Sequence, residues 1–184
     1  MTEQFQISRD SPALYITAVT KNRLPVFRKD DVKQVVCEAL NEARNSRSFL
    51  IFAYVIMLDH IHLLTSQPKK SADVLRYVKG ITARLVIDYL RDNDHQVSLA
   101  KLRHPEWKRK HTYSVWQVEK NVFSIFSEPM FMQKVNYIHL NPVRAGLVER
   151  AIDYRWSSAR IWQGCPLEDE PLNVDMNKIR WRRA

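Results

Sequence analysis

The chain has 184 residues, 45% of them hydrophobic, which suits one domain with a buried core and argues against a disordered chain. A formal net charge of +9 and an isoelectric point near 9.7 point to a polyanionic partner, most commonly nucleic acid, with a basic surface kept for solubility as the bland alternative. Gly80, Gly146 and Gly164 are the only glycines and lie far apart, so no glycine-rich phosphate cradle can form and P-loop and dinucleotide folds are excluded.

In chain order, Ala13–Lys21 is short and β-prone, a first strand, and Asn22–Pro25 is a turn. Asp30–Arg47 has helical spacing, with Val32, Val35, Val36, Ala39, Leu40 and Ala43 on one broad face and two aspartates at its start. Phe49–Leu58 is a nearly continuous apolar run, read as a buried strand and too short to span a membrane as a helix. His60–Ser66 follows at once and suggests a hairpin. Ser71–Asn93 is a long helix, with Val74, Val78, Ile81, Leu85 and Tyr89 on one side and Arg76, Lys79, Arg84 and Arg91 on the other. His95–His111 is polar, contains Pro105 and is expected to be a loop. Val115–Ser127 contains a further strand, and Glu128–Ala145 a helix with Ser127 as N-cap and Phe131, Val135 and Ile138 on its packing face. Pro142 should kink or end that helix, and Gly146 suits the reversal after it. The order matches a split βαβ arrangement. The expected fold is α+β and ferredoxin-like, an antiparallel sheet with helices packed on one face.

Cys37 and Cys165 form no CxxC pair, so neither a disulfide framework nor a structural zinc site is expected, and a reducing, cytoplasmic setting is the simplest inference. The first residues show no basic region followed by an apolar run, so no signal peptide is expected.

Two spacings can carry chemistry. His60 and His62 flank Ile61; on a strand they share a face, about 6.6 Å apart, and can converge on one ion while Ile61 points to the core. Two edge histidines without a ligand fit the same spacing. Tyr137 and Asn141 lie four apart, stacked on one helix face, with Lys134 one turn earlier. The tyrosine offers a phenolate nucleophile, the asparagine carbonyl a hard oxygen for Mg²⁺ or Mn²⁺, and the lysine a cation for a phenolate or a phosphate. A half-buried tyrosine with a polar tip is the structural alternative.

The segment Ala53–Leu64, AYVIMLDHIHLL, resembles the metal-site segment of the IS200-like transposases. Val135–Val148, VNYIHLNPVRAGLV, resembles their tyrosine-helix segment, especially in the REP-associated tyrosine transposase branch. Asp153–Ser158, DYRWSS, matches a segment that follows there, and Val115-Trp116-Gln117 falls where that branch often carries Trp-Gln. The likeness runs from about Ala13 to Ser158, so residues 1–158 are expected to form a single-tyrosine HUH transposase domain and 159–184 a basic C-terminal extension.

The resemblance implies that His60, His62 and Asn141 hold a divalent metal, Mg²⁺ or Mn²⁺, and that Tyr137 attacks a DNA phosphate. It implies metal-dependent single-stranded DNA cleavage and strand transfer through a 5′-phosphotyrosine, at hairpin or repeat sequences, by a monomer or homodimer with no membrane partner. Asp59 departs from relatives, which more often carry asparagine or glutamate, and its role is open; His139 and Arg144 receive no chemistry. Arg76, Lys79, Arg84 and Lys134 are candidate DNA contacts, and Trp107, Trp116 and Trp181 candidate base-stacking residues. A non-cleaving hairpin-binding module and a water-using metal-dependent nuclease are the competing functions.

Overall fold

The computed structural model describes residues 4–67, 71–104, 112–119 and 121–181, without the side chains of 71–73. Its strands are β1 (Ala13–Val19), β2 (Ile51–Ile56), β3 (His60–Ser66) and β4 (Asn121–Ile125). Its helices are α1 (Asp30–Arg47), α2 (Ser71–Asp92), α3 (Gln96–Leu102), α4 (Glu128–Arg144) and α5 (Ala159–Trp162). The strands form one antiparallel sheet in the order β2-β3-β1-β4. This is the expected α+β, ferredoxin-like arrangement.

The β2-β3 hairpin sets the register on which the site depends. Ile56 pairs with Ile61 and Val55 with His62, and β1 pairs Thr17 with His62 and Val19 with His60. Directly paired residues share a face. His60, His62, Tyr15, Thr17 and Val55 therefore line one face, and Ile61, Leu63, Leu14, Ile16 and Tyr54 the other.

Helices α1 and α2 pack against each other on the second face. α1 carries Asp30 and Asp31 in its first turn and Arg44 and Arg47 in its last, each favourable for the helix dipole. It buries Val32, Val36, Cys37, Leu40 and Ala43. Along α2 the buried row is Val74, Val78, Thr82, Val86 and Leu90, a run of i+4 steps. The expected row drifts to Ile81, Leu85 and Tyr89, whose side chains are only partly buried.

α4 crosses the first face instead, so the helices divide between the two faces rather than sharing one. It buries Phe131, Val135, Ile138, His139 and Pro142 and packs chiefly on β2 and β3. Covered on both sides, β2 is buried at every position, which explains its unbroken apolar sequence.

β2 is nevertheless an edge strand, and an open edge invites unwanted pairing. Residues from 154 onward cover it. Ile56 N–H donates to Trp156 O at 2.9 Å and Ser158 N–H to Tyr54 O at 3.1 Å. Tyr54 N–H donates to Ser158 Oγ at 3.0 Å, and Trp162 Nε1 to Phe52 O at 2.9 Å. Further along the chain, Asp175 N–H donates to Ile51 O at 2.7 Å, while Asp175 Oδ2 accepts from Ile51 N–H at 3.1 Å. Leu172 and Ile179 join the core cluster.

Four local features differ from expectation. Within the expected loop 95–111, Gln96–Leu102 is helical and buries Leu99 and Leu102; two apolar residues in one turn are too short a pattern to register as periodicity. Pro105–His111 lies outside the described residues. β4 is shorter than Val115–Ser127, because Val115 and Trp116 turn into the core and Trp116 only bridges Thr20. Ser127 occupies the N-cap of α4 without a side-chain bond. Pro142 does not stop α4, which runs two residues further to Arg144 and closes at Gly146, with φ of +67°. There Leu147 N–H bonds Pro142 O and Gly146 N–H bonds Val143 O, a Schellman closure that favours glycine at the left-handed position. Among the described residues, no helix is long and apolar enough to cross a membrane.

Candidate active site

Two adjacent rows of α4 build the site. The row Phe131, Val135, Ile138, Pro142 is buried and anchors the helix. The neighbouring row carries Lys134, Tyr137, Asn141 and Arg144, at spacings of three and four that keep it on one flank. Anchoring the first row swings the second over β1 and β3.

The result is a cleft of about 560 Å³, lined by His60, His62, Tyr137, Asn141, Lys134 and Tyr15 among others. The His60 and His62 ring centroids are 4.9 Å apart, and the Tyr137 ring is 5.5 Å from that of His62. Lys134 Nζ sits 4.8 Å from the Tyr15 ring centre and 5.7 Å from that of Tyr137. Arg144, two turns further along the helix, places its Cζ 5.1 Å from the Tyr137 ring centre. Tyr137 itself is 39% exposed, open to a substrate. The structure thus brings together His60, His62, Tyr137, Asn141 and Lys134, five residues named from sequence.

Each histidine is held through Nδ1. His60 Nδ1 lies 2.6 Å from Asp59 Oδ1, and the other Asp59 oxygen, Oδ2, accepts from Arg23 Nη1 at 3.1 Å. A carboxylate only accepts, so His60 Nδ1 carries the proton and Nε2 keeps its lone pair when the ring is neutral. His62 Nδ1 lies 2.9 Å from both Tyr15 Oη and Thr17 Oγ1. Burial, reinforced by His60 and Lys134, pushes the His62 pKa down to about 3, so the ring is neutral at pH 7. Burial also raises Tyr15 to about 12, which keeps its phenol protonated.

An imidazole with Nδ1 committed and its lone pair on Nε2 is a donor a divalent cation takes. Asp59 behind His60 is the carboxylate–histidine pairing common behind metal ligands, and His62 matches it in the tautomer whose Nδ1–H donates to Tyr15 or Thr17. Asn141 Nδ2 donates to Tyr137 O at 3.1 Å, leaving the amide oxygen for a hard cation. No group of three or more His, Cys, Asp or Glu with metal-site geometry occurs among the described residues. A site here must therefore complete its shell with Asn141 and non-protein oxygens, as Mg²⁺ and Mn²⁺ tolerate.

Other candidates lie elsewhere. α2 is on the far face of the sheet. There Lys79 Nζ donates to Gln117 O and Glu119 O, both at 2.9 Å, and Arg84 pairs with Glu42 at 2.6 Å. Arg76 lies 5.3 Å from the Tyr77 ring centre and Arg91 pairs with Asp88 at 3.0 Å. None of the four lines the cleft. Trp116 is buried, its Nε1 donating to Lys79 O at 2.9 Å, so it supports the core rather than offering a stacking face. Trp181 is 41% exposed but lies against Phe131, with ring centroids 5.8 Å apart. Trp107 is outside the described residues. His139 is buried, bonded to Ser158 Oγ at 2.9 Å and lowered to about 4 by burial.

Sequence reasoning missed Tyr15, Thr17, Arg23, Asn121 and Phe123, which share the cleft. It left Asp59 without a role. Only period-two alternation in β1, pairing Tyr15 and Thr17 with the histidine strand, hinted at any of them.

The chain belongs to the family described as "Transposase IS200 like", whose model matches residues 12–139. It is therefore a DNA-binding, DNA-processing protein of that family. The match includes His60, His62 and Tyr137 and ends two residues before Asn141. Among solved structures, a REP-associated tyrosine transposase bound to a REP hairpin is similar. Its TM-score is 0.62 at 19% identity, over 90% of this chain and 87% of that one. A proposed transposase from Deinococcus radiodurans R1 is similar over 70% of this chain and 88% of that one, with TM-score 0.49 and 22% identity. At such identities the likeness is one of fold. No curated protein matches the chain.

Proposed function

We propose that this transposase cleaves and rejoins single-stranded DNA at hairpin or repeat sequences, with Tyr137 as nucleophile and residues 1–158 as the catalytic domain. The observation that carries this reading is the juxtaposition of an exposed tyrosine and two Nδ1-anchored histidines, with Tyr137 and His62 rings 5.5 Å apart. The hairpin held by the structurally similar transposase suggests the substrate. His60, His62 and Asn141 would hold Mg²⁺ or Mn²⁺. When bound, such an ion polarises the scissile phosphate and offsets its developing charge.

The chain's own residues account for the rest. Tyr137 Oη forms a bond to phosphorus while the bond to the 3′-oxygen breaks. This leaves a 5′-phosphotyrosine and a 3′-OH, and the phenolic proton lost is balanced by the one the 3′-oxygen gains. Lys134 and Arg144, each within 6 Å of the Tyr137 ring, attract the DNA backbone to the nucleophile. The covalent link conserves the phosphodiester, so another 3′-OH can reverse the step. No nucleotide is needed, which agrees with a chain that has no glycine-rich cradle.

The test is a labelled hairpin oligonucleotide with single-stranded flanks, incubated with Mn²⁺ and resolved on a denaturing gel. A protein–DNA adduct is expected, lost on chelation and in the His60→Ala/His62→Ala double variant. Binding without an adduct would make the chain a non-cleaving hairpin module. Cleavage without an adduct would make it a nuclease that uses water.

Asp59 gives a second test. Its carboxylate fixes the His60 ring, and loss of such a partner lowers metal affinity roughly 10- to 100-fold. Asp59→Ala should weaken Mn²⁺ binding by that amount in calorimetry, with Asp59→Glu recovering part of it. Equal affinities would show that Asp59 serves only its ion pair with Arg23.

A further inference from the structure

We infer that Phe123 is the base-stacking platform of this site, positioning the unpaired nucleotide beside the scissile phosphate. The inference rests on the Tyr137 reading and adds to it the part of the substrate that is single-stranded.

Phe123 pairs with Tyr15 across β1 and β4, so it stands on the sheet face that carries both histidines. It lines the same cleft as His60, His62 and Tyr137 and is 59% exposed. Its neighbour Val122, on the opposite face, packs against the core. A single exposed phenylalanine means little on a protein surface. One lining the same cleft as a nucleophile and cations means more, since Lys134 and Arg23 line it as well. Aromatic faces beside a basic track are how proteins hold single strands: cations follow the phosphates and the ring takes a base.

The geometry also selects the substrate. A base within a duplex has both faces covered, so Phe123 can accept only one that is unpaired or extruded. Asn121 is two residues earlier on the same face, exposed and lining the cleft, where its amide can both donate to and accept from a base edge. Stacking is tolerant of sequence, so preference at this position falls to Asn121.

The competing occupant is a second copy of the chain, since β4 ends the sheet and no described strand pairs with its outer side. The cations in the cleft favour a polyanion over another basic chain of net charge +9.

The test uses a palindromic hairpin oligonucleotide with single-stranded thymidine flanks, substituted with 2-aminopurine one flank position at a time. Binding is measured in EDTA, so that no cleavage occurs, at one fixed salt concentration. Wild-type protein should quench the fluorophore at a discrete position. Phe123→Ala should abolish that quenching and weaken binding roughly 5- to 150-fold, the range for one base–aromatic stack, with an unchanged melting temperature. Phe123→Trp should restore both, which a merely structural role would not require. Unchanged affinity and quenching in Phe123→Ala, with the Mn²⁺-dependent adduct intact, overturns this inference and leaves the Tyr137 reading standing. Unchanged DNA binding together with a fall in sedimenting mass assigns Phe123 to a contact between copies and also overturns it. Failure of the wild-type protein to bind the oligonucleotide overturns both readings.

Discussion

Tyr137→Phe should abolish the covalent protein–DNA adduct while leaving hairpin binding intact. The loss should be at least on the order of 10⁴-fold, as when a nucleophile or its activating group is removed. The fold gives little reason for the variant to fail otherwise. Tyr137 is 39% exposed and its hydroxyl has no hydrogen-bond partner among the described residues, so removing it should change stability by no more than about 0.5 kcal/mol. The ring remains to pack against Tyr15, His62, Lys134 and Arg144. Tyr15 is the other tyrosine within reach, its ring centre 6.2 Å from that of Tyr137. Its exposure is only 5%, its hydroxyl is engaged with His62, and burial holds its pKa near 12. Tyr15→Phe should therefore keep the adduct and change only how His62 is held. An adduct that survives in Tyr137→Phe and disappears in Tyr15→Phe would reverse the assignment.

The largest stability effect is expected at Arg160 and Glu170, far from the nucleophile. Their side chains are 8% and 3% exposed and meet as a fork, Nε to Oε1 at 3.0 Å and Nη2 to Oε2 at 2.9 Å. Arg160 also donates to the carbonyls of Ile152, Tyr154 and Arg155, and Leu167 N–H donates to Glu170 Oε1. The guanidinium thus pins the strip that covers the outer edge of β2. Glu170→Ala strands a buried charge, and breaking a buried pair from one side costs about 3–5 kcal/mol. For a chain of this size that lowers the melting temperature by roughly 6–20 °C. A joint replacement by apolar residues, Arg160→Met with Glu170→Leu, should recover only part of the loss. It removes the stranded charge but leaves the carbonyls of Ile152, Tyr154 and Arg155 and the Leu167 N–H without these partners. A drop below about 1 kcal/mol in urea denaturation of Glu170→Ala would show that water reaches the pair.

Much of the architecture is legible without coordinates. The α1 boundaries, the hairpin strand beginning at His60, and the existence of α2 and α4 follow from long, regular patterns. Pattern fails where it is short or interrupted. α3 has one apolar turn. Residues 154–181 lack periodicity because they cover an edge through single bridges and side-chain bonds, as Ser158 does with Tyr54.

The same division runs through the site. The motif in sequence supplies residue types and local facing: His60 and His62 two apart on a strand, Lys134, Tyr137 and Asn141 on one helical flank. Those relations depend only on strand and helix periods. Which flank of α4 meets which face of the sheet is a tertiary matter. Phe131, Val135 and Ile138 must be buried against β2 before Tyr137 can swing over His62. Tyr15, Thr17 and Phe123 enter the cleft only through the registers of β1 with β3 and β4. Asp59 acquires a partner in Arg23 only when the chain folds back on itself. The basic row of α2 reads like a DNA-binding face in sequence, yet packing places it on the far side of the sheet from the cleft. Charge and periodicity are properties of a segment, whereas the side of the sheet on which a segment lies depends on burial across the whole chain.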